Sequence, residues 1–114
     1  MNAQKKALTA PIVKEAIANQ LKLSVITNDV VTAQIIAVES HFPTGKVHLF
    51  ATMGEAIFTA SGEISTPPQI LELALPKSFF EEHLATAKVS LFYIVITKEG
   101  TVVTSLAHEL SVVE

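Results

Sequence analysis

The chain has 114 residues, 49% of them apolar, and a formal net charge of −3. That length fits one domain, and the apolar share is ample for a core, which sets the chain apart from disordered segments. All eight basic residues are Lys, Asp29 is the only Asp among the eleven acids, and there is no Cys. Without Arg, the usual bidentate reader of phosphate and guanine, an acidic chain is a poor nucleic-acid binder. Without Cys there is no thiol catalysis, disulfide or thiolate-ligated zinc, and the scarcity of Asp argues against calcium loops.

Residues 1–7 read as a flexible polar lead, and residues 8–114 as a single domain. Lys5-Lys6 is followed by too short an apolar stretch before Pro11 to form a secretory signal. No apolar run approaches the ~20 residues of a membrane span, so a membrane partner is not expected. The compartment stays open between the cytoplasm and export by a signal-independent route.

From Leu8 the chain reads as extended, with Pro11 suited to a strand start. Residues 13–23 are ambiguous. Val13, Ile17 and Leu21 have helical spacing, whereas Leu21, Leu23 and Val25 alternate like a strand. Extended or irregular structure is favoured there, with one helical turn as the alternative. Asn28-Asp29 is a turn signal, followed by the β-branched run 30–38 with Val31, Ala33 and Ile35 inward. A loop at 41–46 precedes a strand at 46–52, with Val47, Leu49 and Ala51 on one face and Lys46, His48, Phe50 and Thr52 on the other.

Met53-Gly54-Glu55 reads as a turn, 56–60 as a short strand, and Ser61-Gly62-Glu63 as another turn before Pro67-Pro68. Leu71, Leu73 and Leu75 share a strand face that ends at Pro76. Ser78-Phe79-Phe80-Glu81 has the pattern of a capping box, predicting a short helix near 79–84 with Glu81-Glu82 in its first turn. The strongest strand is 88–97, with Val89, Leu91, Tyr93 and Val95 inward against Ser90, Phe92, Ile94 and Ile96. Lys98-Glu99-Gly100 is a tight turn, and two more extended stretches close the chain. Gly45, Gly54, Gly62 and Gly100 all read as turn residues. About seven short strands with frequent turns predict an all-β, immunoglobulin-like two-sheet antiparallel sandwich with one short helix.

Pro76-Lys77-Ser78-Phe79-Phe80, Val89-Ser90-Leu91-Phe92-Tyr93-Ile94-Val95, Gly100, Ser105 and Leu110-Ser111-Val112-Val113 resemble the end of a recurrent bacterial Ig-like module. Leu8-Thr9-Ala10-Pro11-Ile12-Val13, Leu21-x-Leu23 and Thr44-Gly45-Lys46-Val47-x-Leu49 resemble its opening and middle. The resemblance implies a module of the kind strung in tandem in surface and adhesin-like proteins, where such units act as spacers and binding elements.

Chemistry is sparse. His41, His48, His83 and His108 lack the spacing of a metal pair, and Glu39-Ser40-His41 are sequence neighbours, not a convergent triad. No Gly-rich phosphate loop exists, so neither a catalytic group nor a cofactor or metal is expected. The outward Phe50, Phe92, Ile94 and Ile96 would form an apolar stripe if their strands lay side by side. The alternative is a cover over that face by the segment 8–23. The reading is a non-catalytic binding or structural module that acts through a sheet face or edge on a protein partner or a second copy. A carbohydrate- or cell-surface-binding module and a small membrane-active effector component are the alternatives.

Overall fold

A computed structural model describes residues 8–39 and 41–114, so the lead at 1–7 and Ser40 lie outside the described residues. Nine strands are described: β1 (Ile12–Val13), β2 (Gln20–Lys22), β3 (Val30–Ala37), β4 (Gly45–Met53), β5 (Ala56–Ile64), β6 (Gln69–Pro76), β7 (Lys88–Ile96), β8 (Val102–Thr104) and β9 (His108–Val113). One α-helix, α1 (Lys77–Glu82), and two 3₁₀ turns at Leu23–Val25 and Leu84–Thr86 complete the set. A small sheet has the order β1-β3-β6, and a large one the order β2-β9-β7-β4-β5, with β8 also pairing β7. All named pairings are antiparallel except that of β2 with β9.

The two sheets meet through one parity of each strand. Val31, Ala33 and Ile35 of β3 face Val47, Leu49 and Ala51 of β4 and Leu91, Tyr93 and Val95 of β7, and every one of these is 0% exposed. Such positions alternate with half-exposed neighbours along all three strands, the period-2 pattern of a sheet with one dry face. The predicted two-sheet antiparallel sandwich is the observed architecture.

Several local expectations are corrected. Ser61-Gly62-Glu63 is not a turn, because β5 runs unbroken through it, with Gly62 paired to Val47. A Cβ on Gly62 would lie 3.0 Å from the side-chain ends of both Leu71 and Leu73, so the glycine makes room for the small sheet to close over β5. Gly45 likewise opens β4 rather than a turn. Its φ is +150°, and a Cβ there would collide with the backbone carbonyl of Ile96.

The capping box is not formed. The helix starts at Lys77 with Pro76 at the N-cap and no side-chain cap, while the Lys77 amide donates to the Asp29 carbonyl at 3.0 Å. The start is thus set by a tertiary bond, and Glu81 and Glu82 fall at the C-terminal end of the helix instead of its first turn. There Glu81 stands 3.9 Å from the ammonium of Lys77, one turn earlier. Phe79 and Phe80 are both buried and close one end of the core.

The ambiguous stretch 13–26 serves both sheets in turn. Val13 enters the core from β1, Ala18 and Asn19 turn the chain at φ 53° and 62°, and Leu21 enters the core from β2. The 3₁₀ turn then leaves Val25 58% exposed, against its predicted strand alternation with Leu23. Helical spacing of Val13, Ile17 and Leu21 has no structural counterpart: Ile17 is 79% exposed.

Tyr93 ties the N-terminal segment to the large sheet. Its hydroxyl donates to the Thr9 carbonyl at 2.9 Å, and its amide donates to Ser105 Oγ at 2.9 Å. Ser105 Oγ in turn donates to the Leu106 carbonyl at 2.9 Å. Burial pushes the Tyr93 hydroxyl up to about 12 from its ordinary 10.0, because the phenolate has no water to solvate it.

Two expectations follow for stability. With a single Tyr and no Trp, the ultraviolet phenolate band reports Tyr93 alone; its midpoint is expected near 12 in the folded chain and near 10 in urea. The raised folded value favours the protonated form, so this contribution is complete below about pH 10 and is lost as the pH climbs toward 12, in total roughly 2–3 kcal/mol. A folded-state midpoint near 10 would contradict the burial. Chemical denaturation is expected to show Gly45→Ala losing more stability than Gly62→Ala. The first meets fixed backbone, whereas the second pushes only on leucine methyl groups, at about 1–3 kcal/mol.

Candidate binding face

The outward side of the large sheet is fixed by the same alternation that builds the core. β4 and β7 are neighbours in register Phe50↔Phe92, His48↔Ile94 and Lys46↔Ile96, so the four residues singled out by the sequence share one face. Phe50 and Phe92 stack across the strands with ring centroids 5.0 Å apart and planes 20° from parallel. All four are half-buried.

Pairing extends this strip in a way that no local pattern reveals. Val102 of β8 lies opposite Ile96, and Thr104 opposite Ile94. Across β4, Thr59 lies opposite Phe50, Ser61 opposite His48, and Glu63 opposite Lys46. Val102 is 52% exposed, and Ile57, beside Thr52 on the same face, is 62% exposed. The strip is therefore apolar along β7 and β8 and grades into hydroxyls on β5. Sequence reading missed Val102 and Ile57 because their membership depends on which strand lies next to which.

The segment 8–23 does not cover this face. Leu8 bridges Ser105, β1 pairs with β3, and β2 pairs with β9, which place the segment along the rim opposite β5 and β6. Its apolar side chains Val13, Leu21 and Leu23 turn into the core.

The polar groups on and around the face offer hydrogen bonds but no convergent chemistry. His48 Nδ1 and Ser61 Oγ are 3.2 Å apart as cross-strand partners on an open sheet surface. Nothing in that pairing encloses a substrate or positions donors for an oxyanion. A cleft of about 270 Å³ opens at the Gly45 end of the face, lined by Lys46, Glu63, Ile96 and Lys98 among others. His83 lies against the ring of Phe79 at 5.1 Å, His41 sits in a loop, and His108 begins β9. No three metal-ligating side chains converge among the described residues. The triad-like run at 39–41 includes Ser40 and so falls partly outside them. No described helix is long and apolar enough to cross a membrane.

For a flat sugar ring, the usual platform is an open aromatic face. Phe50 and Phe92 each spend one ring face on the other. Tyr93, the one other ring on β7, is in the core. What the face can do is bury apolar area against another surface, with threonine and serine hydroxyls at its border.

No protein-family model matches the sequence, and no curated protein matches it. Among solved structures, the chain is similar to a bacterial immunoglobulin-like domain from the M. primoryensis ice-binding adhesin, with a TM-score of 0.54. The alignment spans 96% of this chain and 100% of that domain at 10% sequence identity. At that identity the likeness is one of fold, and it agrees with the strand pairing: the chain has an immunoglobulin-like β-sandwich fold.

Proposed function

We propose that this chain is a non-catalytic binding module that docks a protein surface on the outward face of its large sheet, centred on Phe50, Phe92, Ile94 and Ile96. The carrying observation is the register of β4 with β7, which gathers those four side chains into one strip while β1 and β2 pair at the rim with β3 and β9. Apolar strips bordered by hydroxyls and a few charges suit recognition by shape and burial. The adhesin-type fold supports a binding or structural role and leaves the partner to be set by this face.

Lys46 lies opposite Ile96 on the same face and is exposed, so it is a built-in anchor for amine-reactive cross-linking. In extract of the native host, wild-type protein is expected to cross-link from Lys46 to a partner protein, and Ile94→Lys to lose that product while keeping its melting temperature within a few degrees. Cross-links that persist in Ile94→Lys, or none at all from Lys46, would refute docking at this face. A second expectation concerns the face itself. A double-mutant cycle on Phe50→Ala and Phe92→Ala, followed by urea denaturation, should return a coupling of about 0.5–1.5 kcal/mol for the stacked pair. A coupling of zero would mean that the rings do not pack as a unit in solution.

A further inference from the structure

The two rims of the sandwich are built differently. One consists of the two-residue β1, the three-residue β2 and the segment that links them across the sheets. The other presents the nine-residue β5 and the eight-residue β6. Edge strands are normally guarded by lysines, prolines, bulges or brevity, since their unpaired amides and carbonyls template further pairing. β5 has none of these guards from Ala56 to Gly62, where no residue is charged. Its register with β4 runs without a bulge from Gly45↔Ile64 to Met53↔Ala56.

Parity determines which backbone groups face outward. A two-residue hairpin at Gly54-Glu55 makes Met53 and Ala56 a hydrogen-bonded pair, so the even-numbered residues of β5 bond to β4. The same alternation, carried across the sheet, requires odd-numbered residues near β7 to bond on its far side. That is observed: the Ser105 amide donates to the Tyr93 carbonyl, and the Val112 amide to the Ala87 carbonyl, both at 2.9 Å. Ile57, Thr59, Ser61 and Glu63 therefore aim their amides and carbonyls away from β4. The Glu63 carbonyl is taken by the Gln69 side-chain amide at 3.1 Å. Among the described residues, Ile57, Thr59 and Ser61 have no outward backbone partner and form a run of ladder positions symmetric about Thr59.

We infer that β5 pairs antiparallel with β5 of a second copy of this chain, with Thr59 opposite its own counterpart and Ile57 opposite Ser61. A two-fold axis at Thr59 satisfies every open group of the run at once, since each residue of an antiparallel hydrogen-bonded pair uses both its amide and its carbonyl. Along the neutral stretch two chains of net charge −3 meet without opposing charges. On the inward side Phe58 would lie opposite Ala60, a large side chain against a small one. The same register sets Glu55 opposite Glu63 at each end, where like charges oppose association. The inference goes beyond docking at the outward face and uses the backbone edge of β5 instead of the apolar strip centred on β4 and β7.

The test is sedimentation velocity over a concentration series, paired with amide hydrogen exchange by NMR. The wild-type chain is expected to dimerise, with the amides of Ile57, Thr59 and Ser61 gaining protection as concentration rises; those of Phe58, Ala60 and Gly62 stay protected throughout. Thr59→Pro removes an outward amide without touching the β4 ladder, and Ser61→Lys adds charge at the edge. Both should abolish the dimer while the melting transition stays cooperative. Glu55→Gln should tighten it. A strict monomer at millimolar concentration, or a dimer indifferent to both edge variants, overturns the inference. A dimer broken by Ile94→Lys but not by Ser61→Lys would also overturn it, by moving self-association to the outward face. The cross-linking outcome at Lys46 is separate, so either proposal can fail alone.

Discussion

Everything in this molecule depends on a dry interface between two sheets, made by alternate residues of β3, β4 and β7. Val31, Ala33, Ile35, Val47, Leu49, Ala51, Leu91, Tyr93 and Val95 are fully removed from solvent. At ~25 cal/mol per Å² of apolar surface, burial of this kind is the dominant favourable term for a chain of this size. Its strict period of two also decides what happens outside: once one parity is committed to the core, the other is delivered to the surface. Phe50, Phe92, Ile94 and Ile96 reach the outward face for that reason, and a register slip of one residue would exchange core and surface along an entire strand.

The legibility of the sequence follows from this. Strands β3, β4, β6 and β7 each keep one parity apolar over at least three successive positions, so their inward residues are readable one by one. The stretch 13–26 is not, because it changes sheets within a few residues and no single period spans it. Gly62 reads as a turn residue because glycine in a strand has the same letter as glycine in a turn. Its reason for being there is the approach of Leu71 and Leu73 from the other sheet, which only the fold supplies. The helix start differs from the expected one for a related cause: local capping chemistry is available at Ser78, but the bond from the Lys77 amide to the Asp29 carbonyl acts earlier in the chain. The candidate face was half legible. Its four central residues followed from parity, whereas Val102 and Ile57 required the neighbour order β8-β7-β4-β5.

Polar groups in the interior are few and are used as fasteners. Among the described residues Ser105 is the one buried polar residue, and it both accepts from the Tyr93 amide and donates to the Leu106 carbonyl. Together with the Tyr93 hydroxyl on Thr9, it joins the entering segment, the central strand and the crossing from β8 to β9 at one place. No buried side-chain nitrogen or oxygen among the described residues lacks a partner. A site for acid–base work usually keeps a polar group in reserve, with a shifted affinity for protons and room for a substrate. Here the strongly shifted hydroxyl of Tyr93 is engaged in holding the fold together.

The unequal rims bear on how large any assembly of this chain can become. A sheet grows indefinitely only if each added unit brings a new open edge. Because the N-terminal segment breaks one side into strands of two and three residues, a unit that joins through β5 brings no second long edge of the same sheet. Accretion of that sheet through β5 would stop with the first addition, which disfavours open-ended growth into fibres.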